Sequence, residues 1–339
     1  MSLDKLRGRL MISLVLGLIV VVALMAYGDF AEIGQVAAVF HWGLIPLILG
    51  LTMVNYLLRF AKWHYYLGLI GAGDTPAKDS FLMFFSGLSM VVTPGKVGEW
   101  LKSFLLKESR GVPLGRSAPI VIAERLTDAV AMLALASGGL LMTQSGWQIA
   151  AAVLGLAALM VAAVQYRPLT DFLLSVGERL PLLSSKAHHM RDFLDCAQTL
   201  FCPRALAVGI ALGLVSWGAE SVAFYVILLG MGLEANPLLL TQAAFIMNTS
   251  ILAGSLVMVP GGLGVAEGGI AGLSQLLLGM TAERAVLSTL LIRFCTLWFS
   301  VVLGIGALTL FSRRLSKKSA GASTFITAGE GDLLEPALD

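Results

Sequence analysis

Two glutamates, Glu99 and Glu267, close matching runs: Thr93-Pro94-Gly95-Lys96-Val97-Gly98-Glu99 and Pro260-Gly261-Gly262-Leu263-Gly264-Val265-Ala266-Glu267. Both runs read P-G-x-x-G before the carboxylate. A carboxylate placed there can carry a proton or offset a cation. An arginine follows each at a similar remove, Arg125 31 residues after Pro94 and Arg293 33 residues after Pro260. Guanidinium is planar and grips phosphate or carboxylate with two donors at once. Lys96 and Lys102 add positive charge around the first run, and a helix beginning near Gly98 would aim free amides at an anion. The chemistry implied is recognition of a phosphate-bearing group. Glu99 and Glu267 suit a zwitterionic ligand, a coupling proton or pairing with those cations.

Further ionisable residues fall inside apolar stretches. Glu124 and Asp128 are four apart and share a helical face, while Arg125 is three from Asp128. That spacing predicts an Arg125–Asp128 pair that neutralises itself and leaves Glu124 as a proton or ligand group. Glu220 and Arg293 stand mid-segment without a local partner, and Asn248 precedes the second break. Charges within membrane segments are costly and usually line a pathway or pair with one another. The candidate substrate-binding and translocation set is therefore Lys96, Glu99, Lys102, Glu124, Arg125, Asp128, Glu220, Asn248, Glu267 and Arg293.

The composition says what surrounds these groups. The chain has 339 residues, 57% hydrophobic and only 13% charged, with a mean hydropathy of +0.86. A soluble domain carries about 25% charged residues, so this is an all-α polytopic membrane protein. The net charge of +2 says little about partners, because the basic residues mostly flank apolar segments. Three cysteines and four histidines show no metal-ligand or disulfide spacing. No metal and no cofactor is expected, and no G-x-x-x-x-G-K-[ST] phosphate loop occurs.

The elements follow from apolar length, about 20 residues per span. Leu10–Tyr27 is too long for a signal peptide and reads as a retained first span. Leu44–Phe60, Pro119–Met142, Trp147–Gln165, Ala205–Leu229 and Ala285–Phe311 read as further spans, about six in all. Phe81–Val92 and Trp100–Leu106, either side of Pro94, are too short to cross and suit a re-entrant pair of half-helices. Leu238–Val259 and Val265–Gly279 flank Pro260 in the same way, although Leu238–Val259 alone is long enough to cross. Pro94 and Pro260 remove a backbone donor, and Gly95, Gly98, Gly261 and Gly264 let the chain turn. Residues 167–204 mix charged and apolar positions and read as an amphipathic surface linker. Residues 313–339 read as a disordered cytoplasmic tail.

Basic residues assign sides. Lys5, Arg7 and Arg9 place the N-terminus in the cytoplasm, as Arg313, Arg314, Lys317 and Lys318 place the C-terminus. Gly28–Gly43, Thr143–Gly146 and Met231–Pro237 lack Lys and Arg and fall outside. Lys62, Lys78, Lys107, Arg110 and Arg116 mark the inside on both flanks of the first break. The breaks then enter from opposite faces, giving an inverted repeat (44–142 and 205–311) with its two-fold axis in the membrane plane.

Four motifs carry a family resemblance: R-F-A-K-W at Arg59–Trp63, T-P-G-K-V-G-E at Thr93–Glu99, E-R-L-T-D at Glu124–Asp128 and P-G-G-L-G-V-A-E at Pro260–Glu267. In their order, the chain resembles the flippase-like transmembrane domain of the lysylphosphatidylglycerol synthetase family from about residue 10 to 312. The resemblance implies movement of a lipid between leaflets of the cell (inner) membrane. Fused members append a soluble aminoacylating domain, for which this chain leaves no room, so lysyl transfer is not expected. The competing readings are a membrane-embedded lipid-modifying enzyme using Glu99, Glu124 and Glu267 as acid/base groups, and an assembly partner of an envelope-lipid synthase. The partners expected are a membrane lipid, a coupling proton, and a second copy or an envelope-lipid enzyme.

Overall fold

The computed structural model describes residues 15, 17–93, 97–140, 146–168, 170, 187–257 and 260–314. Their regular elements are all helices. Helix α1 (Gly17–Tyr27) meets α2 (Phe30–Val39) at an 89° bend, which Asp29 permits with a φ of 54° while its side chain caps α2. A 3-10 turn (Trp42–Leu44) leads into α3 (Ile45–Leu69). Helices α4 (Ala77–Leu88) and α5 (Val97–Arg110) flank the first break, followed by α6 (Leu114–Leu140) and α7 (Gly146–Gln165). Then come α8 (Ala187–Leu200), α9 (Pro203–Gly230), and α10 (Pro237–Leu256) and α11 (Val265–Leu278) flanking the second break. Helix α12 (Ala282–Arg314) closes the described chain. Proline at the first position starts α9 and α10, where its missing N–H has no helical partner to lose.

Among the described residues four helices are long and apolar enough to cross a membrane: Trp42–Leu69, α9, α10 and α12, or five if the bent α1–α2 pair is one span. Expected spans and helices differ in several places: α3 runs past the expected end at Phe60 to Leu69, α7 is not among these four, and two further differences concern the first outer loop and α6. Residues 28–43 were expected as an outer loop, yet Phe30-Ala-Glu-Ile-Gly-Gln-Val-Ala-Ala-Val39 is apolar enough to coil as α2. Helix α6 has 27 residues, but Glu124, Arg125 and Asp128 put its apolar character below that of a simple span. Most of the Thr143–Gly146 turn, much of the 167–204 linker and the tail beyond Arg314 lie outside the described residues.

The two broken segments are hairpins. Arg110, at the end of α5, donates to Asp79, at the start of α4, at 3.3 Å. Gln242 near the start of α10 donates to the Leu277 carbonyl near the end of α11 at 3.2 Å. Their mouths lie far apart. The second opens where α12 begins, whereas Arg314 at the other end of α12 lies 3.7 Å from Asp79 of the first. A 33-residue helix is about 50 Å long, so the hairpins reach in from opposite ends of α12. Between them α9 packs along α3 and α6. One apolar core is built from α6, α9, α10, α11 and α12, and another from α3, α4, α5, α6 and α8. A small third cluster, Val92, Leu263, Leu297 and Val301, sits where the two breaks meet.

Candidate functional site

Pro94, Gly95 and Lys96 lie outside the described residues; α5 resumes at Val97, with Gly98 second and Glu99 third. The second break is described from Pro260, whose short turn carries Gly261, Gly262 and Gly264 at φ of 59°, 69° and 83°. Only glycine adopts such angles freely. Gly261 also leaves no space: a Cβ there would lie 3.0 Å from a Val92 methyl of the first break. Helix α11 starts at Val265, and Glu267 is third, as Glu99 is in α5. Its Oε2 accepts the Gly264 N–H at 2.7 Å, capping the helix where the macrodipole favours a carboxylate.

Each glutamate takes the arginine 26 residues further on. Arg125 donates from Nε to Glu99 Oε2 at 2.8 Å, and its Nη2 meets Glu99 Oε1. Arg293 donates from Nε to Glu267 Oε1 at 2.6 Å and from Nη2 to the Gly261 carbonyl at 2.7 Å. The second pair thus ties the broken loop, the helix after it and α12 into one unit. The pairs differ in access. The Arg125 side chain is 34% exposed and that of Arg293 only 8%.

The remaining charges correct the local expectations. Arg125 and Asp128 do not pair. Asp128 takes the Lys62 ammonium at 2.6 Å, deep between α3 and α6. Lys62 is therefore a buried ion-pair partner and not a marker of the cytoplasmic side. Glu124 is not left over, because Lys102 donates to it and lies 4.5 Å from the centre of the Trp63 ring. Nor does Arg293 lack a partner. Asn248 is buried and donates to Ser221 Oγ and the Ala244 carbonyl, both at 2.8 Å. Glu220 is buried and accepts from the Asn55 amide at 3.1 Å.

A cavity of about 110 Å³ lies at the meeting of the two breaks. It is lined by Glu99 and Arg125 from the first half and by Gly261, Gly262 and Arg293 from the second. Arg59 and Tyr56 of α3 and Trp217 and Glu220 of α9 complete its charged and aromatic wall. Of the sequence-derived candidates, Glu99, Arg125, Glu220 and Arg293 come together here. Lys102 joins Arg59, Glu99 and Arg125 around a smaller adjoining void. Behind Arg293 and Glu267 a second, apolar cleft of about 350 Å³ runs between α1 and α12. There α12 makes a π turn, Phe294–Trp298, a device frequent at functional sites. The carbonyl of Thr296 in that turn accepts the Tyr56 hydroxyl at 2.5 Å. Among the described residues no group of three His, Cys, Asp or Glu is arranged to hold a metal.

Sequence reasoning overlooked Arg59, Asn55 and Trp217. Arg59 was visible in R-F-A-K-W, beside the expected end of a span at Phe60, but was given no role there. Helix α3 in fact continues to Leu69.

Comparison with known proteins agrees with this architecture. A "UPF0104 membrane protein" of Methanothermobacter thermautotrophicus is 23% identical over 336 residues, spanning 88% of this chain and 93% of that protein. The model of the lysylphosphatidylglycerol synthase TM region matches residues 11–304. That match takes in both breaks, both glutamate–arginine pairs and the cavity between them, and the chain belongs to the lysylphosphatidylglycerol synthase transmembrane-region family.

Proposed function

We propose that this protein is a lipid flippase that carries the headgroup of an amphipathic, phosphate-bearing lipid between leaflets while the acyl chains stay in the bilayer. The observation that carries the reading is the convergence of both breaks, with Arg125 and Arg293, on one cavity. In this reading the hairpins α4–α5 and α10–α11 are re-entrant and the two halves form an inverted repeat about an axis in the membrane plane. Six spans then accompany them, with both termini in the cytoplasm. The equal 26-residue spacing of the two pairs and the mouths at opposite ends of α12 support it. The size of the cavity fits as well. At about 110 Å³ it is well below the 300–1,000 Å³ of sites that engulf whole small molecules, so it suits part of a headgroup and leaves the tails outside.

Glu99 and Glu267 have a definite task here. Each holds an arginine, and each must release it, by protonation or by exchange for ligand, for the site to change state. Glu99→Gln and Glu267→Gln keep shape but lose that charge. The test is leaflet exchange of a fluorescent phospholipid in proteoliposomes, with and without a pH gradient. Wild-type protein should accelerate exchange, and each variant should slow it at least about tenfold, equivalent to roughly 1.4 kcal/mol on the barrier. Wild-type protein that exchanges no phospholipid, or variants that exchange at the full rate, would overturn this assignment.

A further inference from the structure

A cleft of about 360 Å³ opens at the mouth of the first hairpin and shares no lining residue with the cavity between the breaks. Its floor is apolar. Phe60 of α3 meets Phe81 of α4 edge to face at 5.2 Å, with Leu82 beside them. Its rim is basic, with Lys78 from the first turn of α4 and Arg314 from the end of α12, both exposed. The charge around this rim does not balance. Asp79 takes both Arg110, at 3.3 Å, and Arg314, at 3.7 Å. Among the described residues Lys78 has no carboxylate partner. Lys78, Arg110 and Arg314 thus face Asp79 alone. An aromatic floor under a surplus of positive charge fits a ligand that is apolar in the middle and carries carboxylates at its edges.

The chain carries such a segment soon after Arg314. From Ser319 to Asp339 it has no Lys, Arg or His, while Glu330, Asp332, Glu335 and Asp339 supply carboxylates. Within that stretch Asp332-Leu333-Leu334-Glu335 brackets two leucines with two acids. We propose that this run docks in the cleft of its own chain. Leu333 and Leu334 lie on Phe60, Phe81 and Leu82, and Asp332 and Glu335 meet Lys78 and Arg314. Residues 315–331 join Arg314 to the run, and as a coil they reach about 20–25 Å. That is ample for a site whose rim includes Arg314 itself. Tethering gives the run an effective concentration on the order of millimolar. Exposed ion pairs, weak singly, then hold it in place together with the two leucines. Docked, the run staples the mouth of α4–α5 to the end of α12, whatever passes through the cavity.

The test is photo-crosslinking in the full chain, reconstituted in lipid nanodiscs. A benzoylphenylalanine replaces Leu334, or in a second preparation Leu338, and the cross-linked peptides are identified by mass spectrometry. Cross-links should fall within the same chain, on Phe60 or on the start of α4 from Ala77 to Leu82. Lys78→Glu should cut their yield at least about fivefold. Adding Asp332→Lys and Glu335→Lys to Lys78→Glu should restore most of it. Raising salt to about 1 M, where charges are screened beyond roughly 3 Å, should also lower the yield. Lys78 is exposed, so its variants should keep the wild-type unfolding temperature. Mixing isotopically heavy and light chains separates contacts within a chain from contacts between copies. Cross-links to lipid alone would make the cleft a membrane contact and overturn the proposal, as would cross-links only between heavy and light chains. No cross-link to the cleft from either position, or a yield that Lys78→Glu leaves unchanged, overturns it too.

Discussion

Lys62 and Asp128 sit 2.6 Å apart with side chains 2% and 6% exposed, and Thr127 Oγ1 accepts a further bond from the ammonium at 3.3 Å. Desolvating two charges costs several kcal/mol each, and only their mutual contact offsets it. Asp128→Asn should therefore strand a buried ammonium and destabilise the protein by about 3–5 kcal/mol. Combining Lys62→Met with Asp128→Leu should restore most of the loss, as measured by thermal unfolding in detergent. A double variant no more stable than the single one would show that the pair serves something beyond itself. The residues of this ladder were visible in the sequence, but their partners were not. Helical spacing suggested Arg125 with Asp128, a contact worth only about 0.2–0.5 kcal/mol on an exposed surface. In a low-dielectric interior, contacts between helices are stronger. Helices α3 and α5 flank α6 with a lysine or glutamate for each of Glu124, Arg125 and Asp128. No rule of local spacing contains that information.

At the scale of elements, α12 is the post on which both breaks rest. Its Arg293 holds the second, and its Gly304 lies against the first. A Cβ at Gly304 would fall 2.6 Å from the Ser89 Cα and 2.7 Å from the Leu88 carbonyl carbon, backbone atoms that cannot swing aside. Gly304→Ala should cost about 1–3 kcal/mol as overpacking and slow lipid exchange, because the first hairpin must back away. Gly306→Ala, with open space at its Cβ, should be neutral or slightly stabilising in the same unfolding assay. Equal effects from both would mean that the hairpin is not seated there. The breaks themselves were legible, since Pro-Gly in an apolar run leaves the backbone few choices. The π turn was not. Phe294-Cys-Thr-Leu-Trp298 has neither proline nor glycine, and it is the tertiary setting of Tyr56 and Arg293 that accompanies it.

For the molecule as a whole, composition was enough to name the class, and repeated motifs were enough to suggest two related halves. The helices after the breaks have equal length, 14 residues each, and their glutamates reach equally far along the chain. The helices before the breaks do not match: α4 has 12 residues and α10 has 20. That inequality is why length alone left Leu238–Val259 ambiguous, and why α10 passes as a span where α4 does not. The pairs also differ in exposure, with Arg125 open and Arg293 closed. In the proposed reading, two matching ion pairs of unequal exposure are what an alternating path would present when stopped in one of its conformations.

The contact between Val92 and Gly261 has an electrical consequence. In the proposed reading the two hairpin mouths face opposite compartments, and the insulating part of the protein narrows to the seam of Val92, Leu263, Leu297 and Val301. A membrane potential then falls chiefly across that seam and not across the full bilayer. Moving one net charge through it involves about 2.3 kcal/mol per 100 mV. Exchange of anionic phosphatidylglycerol should bend steeply with an imposed potassium diffusion potential, while exchange of a zwitterionic phospholipid should stay flat. Equal voltage dependence for the two would place the field elsewhere, or a counter-charge beside the headgroup as it crosses.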